Sequence, residues 1–217
     1  MIKNVYGDYI WISKLEDEFV EEYKREFVSN INERNKFIQT GSWSECNVTS
    51  SFFTPPFINN CSSIDYNMMF SKKIPEELKK FLIKLNEEYG NGDKELLHIS
   101  VFIEDIWYNE YNMNDFQELH CHSGRDSFYS FVYILKSTDE NVDSKLVFKN
   151  PNSSHLKSII IGNLMNEIEN YREDYEPRLN EGDLIIFPSH MKHNVTRHKN
   201  EKNSRISISG NICMCKV

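Results

Sequence analysis

The chain carries seven histidines, and four of them fall in two tight groups: His120-Cys121-His122 and His190-Met191-Lys192-His193. Residues two apart on a strand point to the same face. His120 and His122, read as strand residues, therefore aim their imidazoles at one point. A third histidine from another strand completes a facial set of metal ligands. Three ligands on one face leave coordination positions open, as catalysis requires, whereas structural zinc sites are closed by four. His193 is the expected third member. A turn at Gly182 feeds the apolar run Leu184-Ile185-Ile186-Phe187, Pro188 stops it, and His193 follows five residues later. His190 competes for the role but reads as a solvent-facing loop residue. A lone histidine is more often a surface or hydrogen-bonded core residue; the pair plus a later histidine beyond a strand favours a metal.

The second chemical signal is Arg205-Ile206-Ser207-Ile208-Ser209, which alternates polar and apolar. One face of such a strand carries Arg205, Ser207 and Ser209. The plain reading is a half-exposed strand with its polar side in water. The functional reading turns that side into a cavity. There a guanidinium grips a carboxylate with two parallel hydrogen bonds, which lysine cannot match, and Ser207 adds a hydroxyl.

These residues need elements to hold them. Tyr9 to Ile12 reads as a short strand. Ser13 with Glu16 three residues on has the capping-box pattern of a helix start, and Leu15, Phe19, Tyr23, Phe27 and Ile31 follow at helical spacing. Residues 39–67 are rich in Ser, Asn, Thr and Pro and read as loops. A second helix is expected from near Pro75, with Leu78, Phe81, Leu82, Leu85 and Tyr89 on one face and Gly90 as its stop. Beyond Gly92 the pattern changes to short β-branched and aromatic runs: Leu96 to Tyr111, Ser127 to Leu135, Lys145 to Lys149, Lys157 to Ile161, Asp183 to Phe187 and Arg205 to Met214. Turn residues separate them at Ser123-Gly124, Asn150-Pro151-Asn152 and Glu181-Gly182. Several short strands broken by turns predict a sandwich or barrel. No linker or repeat divides the chain. The expectation is a single unit over residues 1–217, with a helical N-terminal part (1–92) and a mainly β core (93–217).

Composition limits the partners. The 217 residues are 39% hydrophobic and 13% aromatic, enough to build a core. The formal net charge of -8 gives no pull towards nucleic acid or anionic lipid. No run approaches the ~20 apolar residues of a membrane helix, and no secretory signal opens the chain. The five cysteines, Cys46, Cys61, Cys121, Cys213 and Cys215, are odd in number and irregularly spaced. They read as reduced thiols of a cytoplasmic protein.

Gln117-Glu118-Leu119-His120-Cys121-His122, then Ser130-Phe131-Val132-Tyr133-Ile134-Leu135, then Leu146-Val147-Phe148, Gly182 to Ser189, His193 and Arg205 to Asn211 come in a distinctive order. With Trp107 and Asn109 upstream, that order resembles a bacterial and phage group of 2-oxoglutarate, iron-dependent oxygenases. The resemblance runs from about Ile106 to Asn211, roughly half the chain. It implies a double-stranded β-helix, or jelly roll, with the helices packed on it. It implies Fe(II) on His120, His122 and His193. The co-substrate 2-oxoglutarate would have its far carboxylate on Arg205, with Ser207 and Tyr133 nearby. The implied reaction hydroxylates a small molecule or peptide and releases succinate and CO2, with ascorbate as a stimulant. The wider superfamily has His-x-Asp or His-x-Glu where this chain and its group have His-x-His, so Glu118 and Asp126 stay open as alternatives to His122.

A cupin, another metal-binding β-barrel, is the competing expectation. His120-x-His122 with Asp126 partly mimics its first motif, and Gly182, Pro188 and His193 its second. The glycine expected at position 190 is absent, the stretch between the motifs is long, and Arg205 has no role there. Trp107, Tyr108, Tyr111, Phe128 and Tyr129 are candidate pocket aromatics, though such residues are more often core.

Overall fold

A computed structural model describes residues 1–15, 18–36, 38, 46, 48–53, 72–90, 99–122, 127–139, 141–152 and 173–216. In chain order the strands are β1 (Ile2–Val5), β2 (Asp8–Lys14), β3 (Thr49–Ser50), β4 (Ile99–Tyr111), β5 (Gln117–His120), β6 (Tyr129–Lys136), β7 (Leu146–Lys149), β8 (Asp174–Tyr175), β9 (Asp183–Pro188), β10 (His193–Val195) and β11 (Arg205–Lys216). The helices are α1 (Glu18–Ser29), α2 (Ile31–Asn35) and α3 (Ile74–Tyr89). The strands form two antiparallel sheets. One has seven strands in the order β1-β2-β9-β6-β11-β4-β3, the other four in the order β5-β10-β7-β8.

Alternation along the central strands explains how the layers meet. In β6, Phe131, Tyr133 and Leu135 join a core with Val20, Tyr23 and Phe27 of α1 and Leu78 and Phe81 of α3. Val132 and Ile134 point the other way, into a second core with Leu146 and Phe148 of β7 and Val195 of β10. In β9, Leu184 and Ile186 face the helices while Ile185 and Phe187 face the smaller sheet. The larger sheet is thus covered on both sides, by helices on one and by the second sheet on the other. Burying one such side chain contributes ~1.5–3 kcal/mol. In β11, Ile206 and Ile208 belong to the helix-side core. The period of two therefore turns Arg205, Ser207 and Ser209 towards the space between the sheets.

Several expectations are revised. Ser13 does not open a helix. It lies in β2, paired with Leu184 of β9, because strand pairing there satisfies the backbone that a helix cap would otherwise serve. The helix is described from Glu18. Ile31 belongs to the separate short α2. α3 begins at Ile74 with Pro75 in its first turn and ends at Gly90, whose N–H bonds to the Asn86 carbonyl. Thr49–Ser50, expected to be loop, pairs with β4. β1 and β2 place the first residues of the chain in the same sheet as β9. Gly182 sits at φ +88°, the left-handed turn that lets β9 begin. The run Lys157 to Ile161, Cys61, and Ser123-Gly124 with Asp126 lie outside the described residues. Among the described residues no helix is long and apolar enough to cross a membrane.

Candidate metal centre and ligand slot

Strand register brings the first two histidines together. His193, the first residue of β10, pairs directly with His120, the last of β5, and with Phe148 of β7 on its other side. The ring centroids of His120 and His193 are 4.3 Å apart. His122 lies two residues past the end of β5, so the shared strand face expected for it does not apply. Its backbone N–H donates instead to the Ser189 carbonyl at 2.8 Å, tying it to the loop after β9. Its ring still reaches the other two, at 5.4 Å from His120 and 5.1 Å from His193. One ligand nitrogen from each of the three lies within 4.8 Å of the others.

The outer nitrogens of these rings are already engaged. His120 Nδ1 donates to the Glu118 carbonyl at 2.7 Å, and His193 Nδ1 to the Met191 carbonyl at 2.9 Å. His122 Nδ1 lies 2.8 Å from Asn211 Oδ1. Oxygens that only accept require a proton on Nδ1, and a neutral ring then keeps its lone pair on Nε2. Three converging Nε2 lone pairs suit a divalent metal, and hydrogen bonds of this kind fix ligand direction. Burial lowers the pKa of His193 well below its ordinary value, with His120 and His122 adding to the effect. Burial lowers that of His120 as well. Both favour the neutral form that binds metal.

A ladder of inward-facing residues leads away from the histidines. Across β4 and β11 the paired rungs are, in order along the strands, Asp105–Asn211, Trp107–Ser209, Asn109–Ser207 and Tyr111–Arg205. Successive rungs are about 6.8 Å apart, two residues along a strand. Val132, Leu146 and Val195 close the slot with apolar side chains, and only about 10 Å³ stays open between its walls. Arg205 is 4% exposed, and its Nη1 has no partner among the described residues. Trp107 Nε1 and Asn109 Oδ1 are likewise buried without partners. The Arg205 guanidinium lies over the Tyr111 ring, 5.3 Å from its centre, and the Tyr111 hydroxyl donates to Gln117 Oε1 at 3.0 Å. Burial lowers the pKa of Arg205, opposed by Tyr111 and by the charge of Asp143. A guanidinium this buried calls for an anion. The three histidines and Arg205 thus line one narrow slot, whose walls must part to admit anything larger than a water.

A larger cavity of about 310 Å³ also has Arg205 in its lining, with Ser137, Asp143, Lys145, Glu176 and Arg178 among others. It contains none of the three histidines, so the chemistry belongs to the smaller slot.

Not every expected residue is at the site. Ser207 is in the slot, 1% exposed. Tyr133 is not: it belongs to the helix-side core, because it is one residue out of phase with Val132. Tyr111 is the tyrosine that lines the slot beside Arg205. Of the other aromatics, Trp107 lines the slot, Tyr108 and Tyr129 pack on the helix side, and Phe128 is 57% exposed. Glu118 contributes its carbonyl to His120 and is outside the cluster of possible ligands. His190 is exposed beside Asp8, away from the slot. Gln117, Ser130 and Asn211 stand in the stretches that carry the resemblance, but nothing in the sequence gives them a role. The alternation of Trp107, Asn109 and Tyr111 was the signal available for the β4 wall.

A model of the 2OG-Fe(II) oxygenase family matches residues 105–211. Among solved structures, a prolyl-4-hydroxylase from Pseudomonas putida aligns with a TM-score of 0.55 at 13% identity, covering 94% of this chain and 91% of that one. EctD from S. alaskensis, solved with 2-oxoglutarate and 5-hydroxyectoine, aligns with a TM-score of 0.59 at 12% identity, covering 94% and 71%. The carbocyclase SnoK from nogalamycin biosynthesis aligns with a TM-score of 0.56 at 8% identity, covering 94% and 78%. Identities this low speak for a shared fold. No curated protein matches the chain.

Proposed function

The chain belongs to the 2OG-Fe(II) oxygenases, which work with Fe(II) and 2-oxoglutarate, and from that premise we propose which of its residues carry the chemistry. His120, His122 and His193 hold Fe(II) through Nε2. The metal, when bound, supplies the oxygen chemistry, and the protein supplies binding and orientation. Arg205 anchors the far carboxylate of 2-oxoglutarate, steadied by Tyr111 and flanked by Ser207. Asn109 and Trp107 offer an acceptor and a donor along the slot, and Val132, Leu146 and Val195 exclude water from it. We read the two sheets as the double-stranded β-helix, with α1 and α3 as its outer cover and residues 1–217 as one unit. The overall change is hydroxylation of a small molecule or peptide: one C–H becomes C–OH, O2 is consumed, and 2-oxoglutarate leaves as succinate and CO2.

The observation that carries this assignment is Arg205. It is buried, lacks an ion-pair partner among the described residues, and lines the same slot as the three histidines. The cupin alternative gives that arginine nothing to do. Calorimetry with Mn(II) and 2-oxoglutarate tests the assignment. Arg205→Ala is expected to weaken 2-oxoglutarate binding by ~2–5 kcal/mol, the range for removing one partner of a buried charged pair, while Mn(II) still binds. Arg205→Lys recovers part of the loss, since the fork is gone. Unchanged 2-oxoglutarate affinity in Arg205→Ala overturns the anchor.

A further inference from the structure

The strand that carries His120 ends there, so nothing in β5 aims His122. A buried polar group on the larger sheet does so. His122 Nδ1 is 2.8 Å from Asn211 Oδ1 and 2.9 Å from Ser130 Oγ. Ser130 donates to Asn211 Oδ1 at 3.1 Å and meets Ser189 Oγ at 2.9 Å. Asn211, Ser130 and Ser189 are all buried. On its far side, Asn211 Nδ2 donates to Asp105 Oδ2 at 3.3 Å. Asp105 is the register partner of Asn211 across β4 and β11.

An asparagine side chain has a donor end and an acceptor end of nearly the same shape. Asp105 decides which end faces His122. An ionised carboxylate only accepts, so the amide turns its NH2 towards Asp105 and its oxygen towards the imidazole. That oxygen only accepts in turn, so His122 Nδ1 must hold the ring proton. Nε2 is then left with its lone pair on the side of His120 and His193. Those two histidines reach the same tautomer through main-chain carbonyls, which cannot turn over. His122 depends on a side chain whose own orientation is set one step further out.

We propose that Asp105 and Asn211 form a positioning pair that fixes the tautomer and direction of His122, so that an imidazole can serve where the wider superfamily uses a carboxylate. The proposal rests on the reading of His122 as a ligand. Neither residue touches the metal or 2-oxoglutarate. Their work is to choose between two forms of one ring.

The test reads the tautomer directly. Metal-free protein labelled with 15N-histidine is measured by NMR, and Co(II) affinity is measured by calorimetry on the same samples. The parent is expected to show His122 with its proton on Nδ1. Asn211→Leu should lose that preference and bind Co(II) ~10–100-fold more weakly, the usual effect of removing a partner of a metal-bound histidine. Asp105→Leu should populate both tautomers. The swap Asp105→Asn with Asn211→Asp puts an obligate acceptor beside Nδ1 and should restore both the tautomer and most of the affinity. If Asn211→Leu does not fold, Asp105→Leu and the swap carry the decision. A parent tautomer retained in Asp105→Leu, or a swap with neither tautomer nor affinity restored, overturns the proposal. His122→Ala separates this failure from the other. If it binds Co(II) like the parent, the ligand assignment is wrong, whatever the pair does.

Discussion

Two tyrosines separate what a residue's type suggests from what its position allows. Tyr133 sits one residue from a slot-lining valine, yet its ring belongs to the core under the helices. Tyr111 stands opposite Arg205 in the register of β4 and β11. Burial pushes its pKa up, against the pull of the Arg205 charge, so the phenol stays protonated at neutral pH. Its proton goes to Gln117, which leaves the oxygen's lone pairs for the guanidinium side. Tyr111→Phe therefore loosens Arg205 and leaves Gln117 Oε1 unpaired. The expected cost to 2-oxoglutarate binding is ~0.5–1.5 kcal/mol, the net value of a typical hydrogen bond, with Mn(II) affinity unchanged. Tyr133→Phe should leave both affinities alone. Calorimetry on the two variants checks this; the reverse ranking would return Tyr133 to the site.

At the scale of elements, β11 does most of the positioning, and one glycine permits it. A Cβ on Gly210 would lie 2.5 Å from the Asp105 carbonyl oxygen and 2.5 Å from Phe131 Cε1. Neither a backbone carbonyl nor a packed ring gives way easily. Gly210→Ala is expected to cost ~1–3 kcal/mol, as overpacking does, read as a lower urea midpoint. A midpoint equal to the parent's would mean that β4 and β11 are not held this closely. The long strands were legible in the sequence because their alternation extends over many residues: β4 and β11 come within a few residues of the expected ranges, and β11 shows its Arg205, Ser207 and Ser209 face outright. β5 and β10 were not legible. They have four and three residues, too short to show a period, and it is their pairing that brings His193 to His120. Ser13 misled for a related reason: a capping pattern is local, and the β9 partner that overrides it lies 171 positions away at Leu184. The residue types of the candidate metal centre were visible, but the direction of His122 was not, because Asn211 and Ser130 come from distant strands.

At the scale of the molecule, the helices must stay docked on the larger sheet for the slot to keep its shape, and a buried carboxylate helps to hold them there. Glu77 of α3 is 7% exposed. It accepts from Trp11 Nε1 of β2 at 3.0 Å and from Lys80 Nζ at 2.6 Å, while the Trp11 ring stacks on Phe81 at 5.9 Å. Burial alone would raise the pKa of Glu77. The hydrogen bonds from Lys80 and Trp11, with the Lys80 charge, outweigh it and hold the carboxyl below its ordinary 4.5. A carboxyl that is more acidic folded than unfolded adds stability that is complete above the unfolded value. That stability is lost as pH falls through the folded one. Glu77→Gln keeps an acceptor for Trp11 but carries no charge and does not titrate. It is expected to be less stable than the parent at pH 7, and the gap should close as pH drops below 4.5. Asp143, also held below its ordinary value, is present in both proteins and cancels in the comparison. Urea midpoints of parent and variant, measured from pH 7 down to about 3 across the usual carboxylate range, give the two slopes. Parallel curves would show that Glu77 does not couple α3 to β2 through its charge. Converging curves, with the 2-oxoglutarate affinity of the folded variant unchanged at pH 7, would place that coupling in the scaffold and outside the slot.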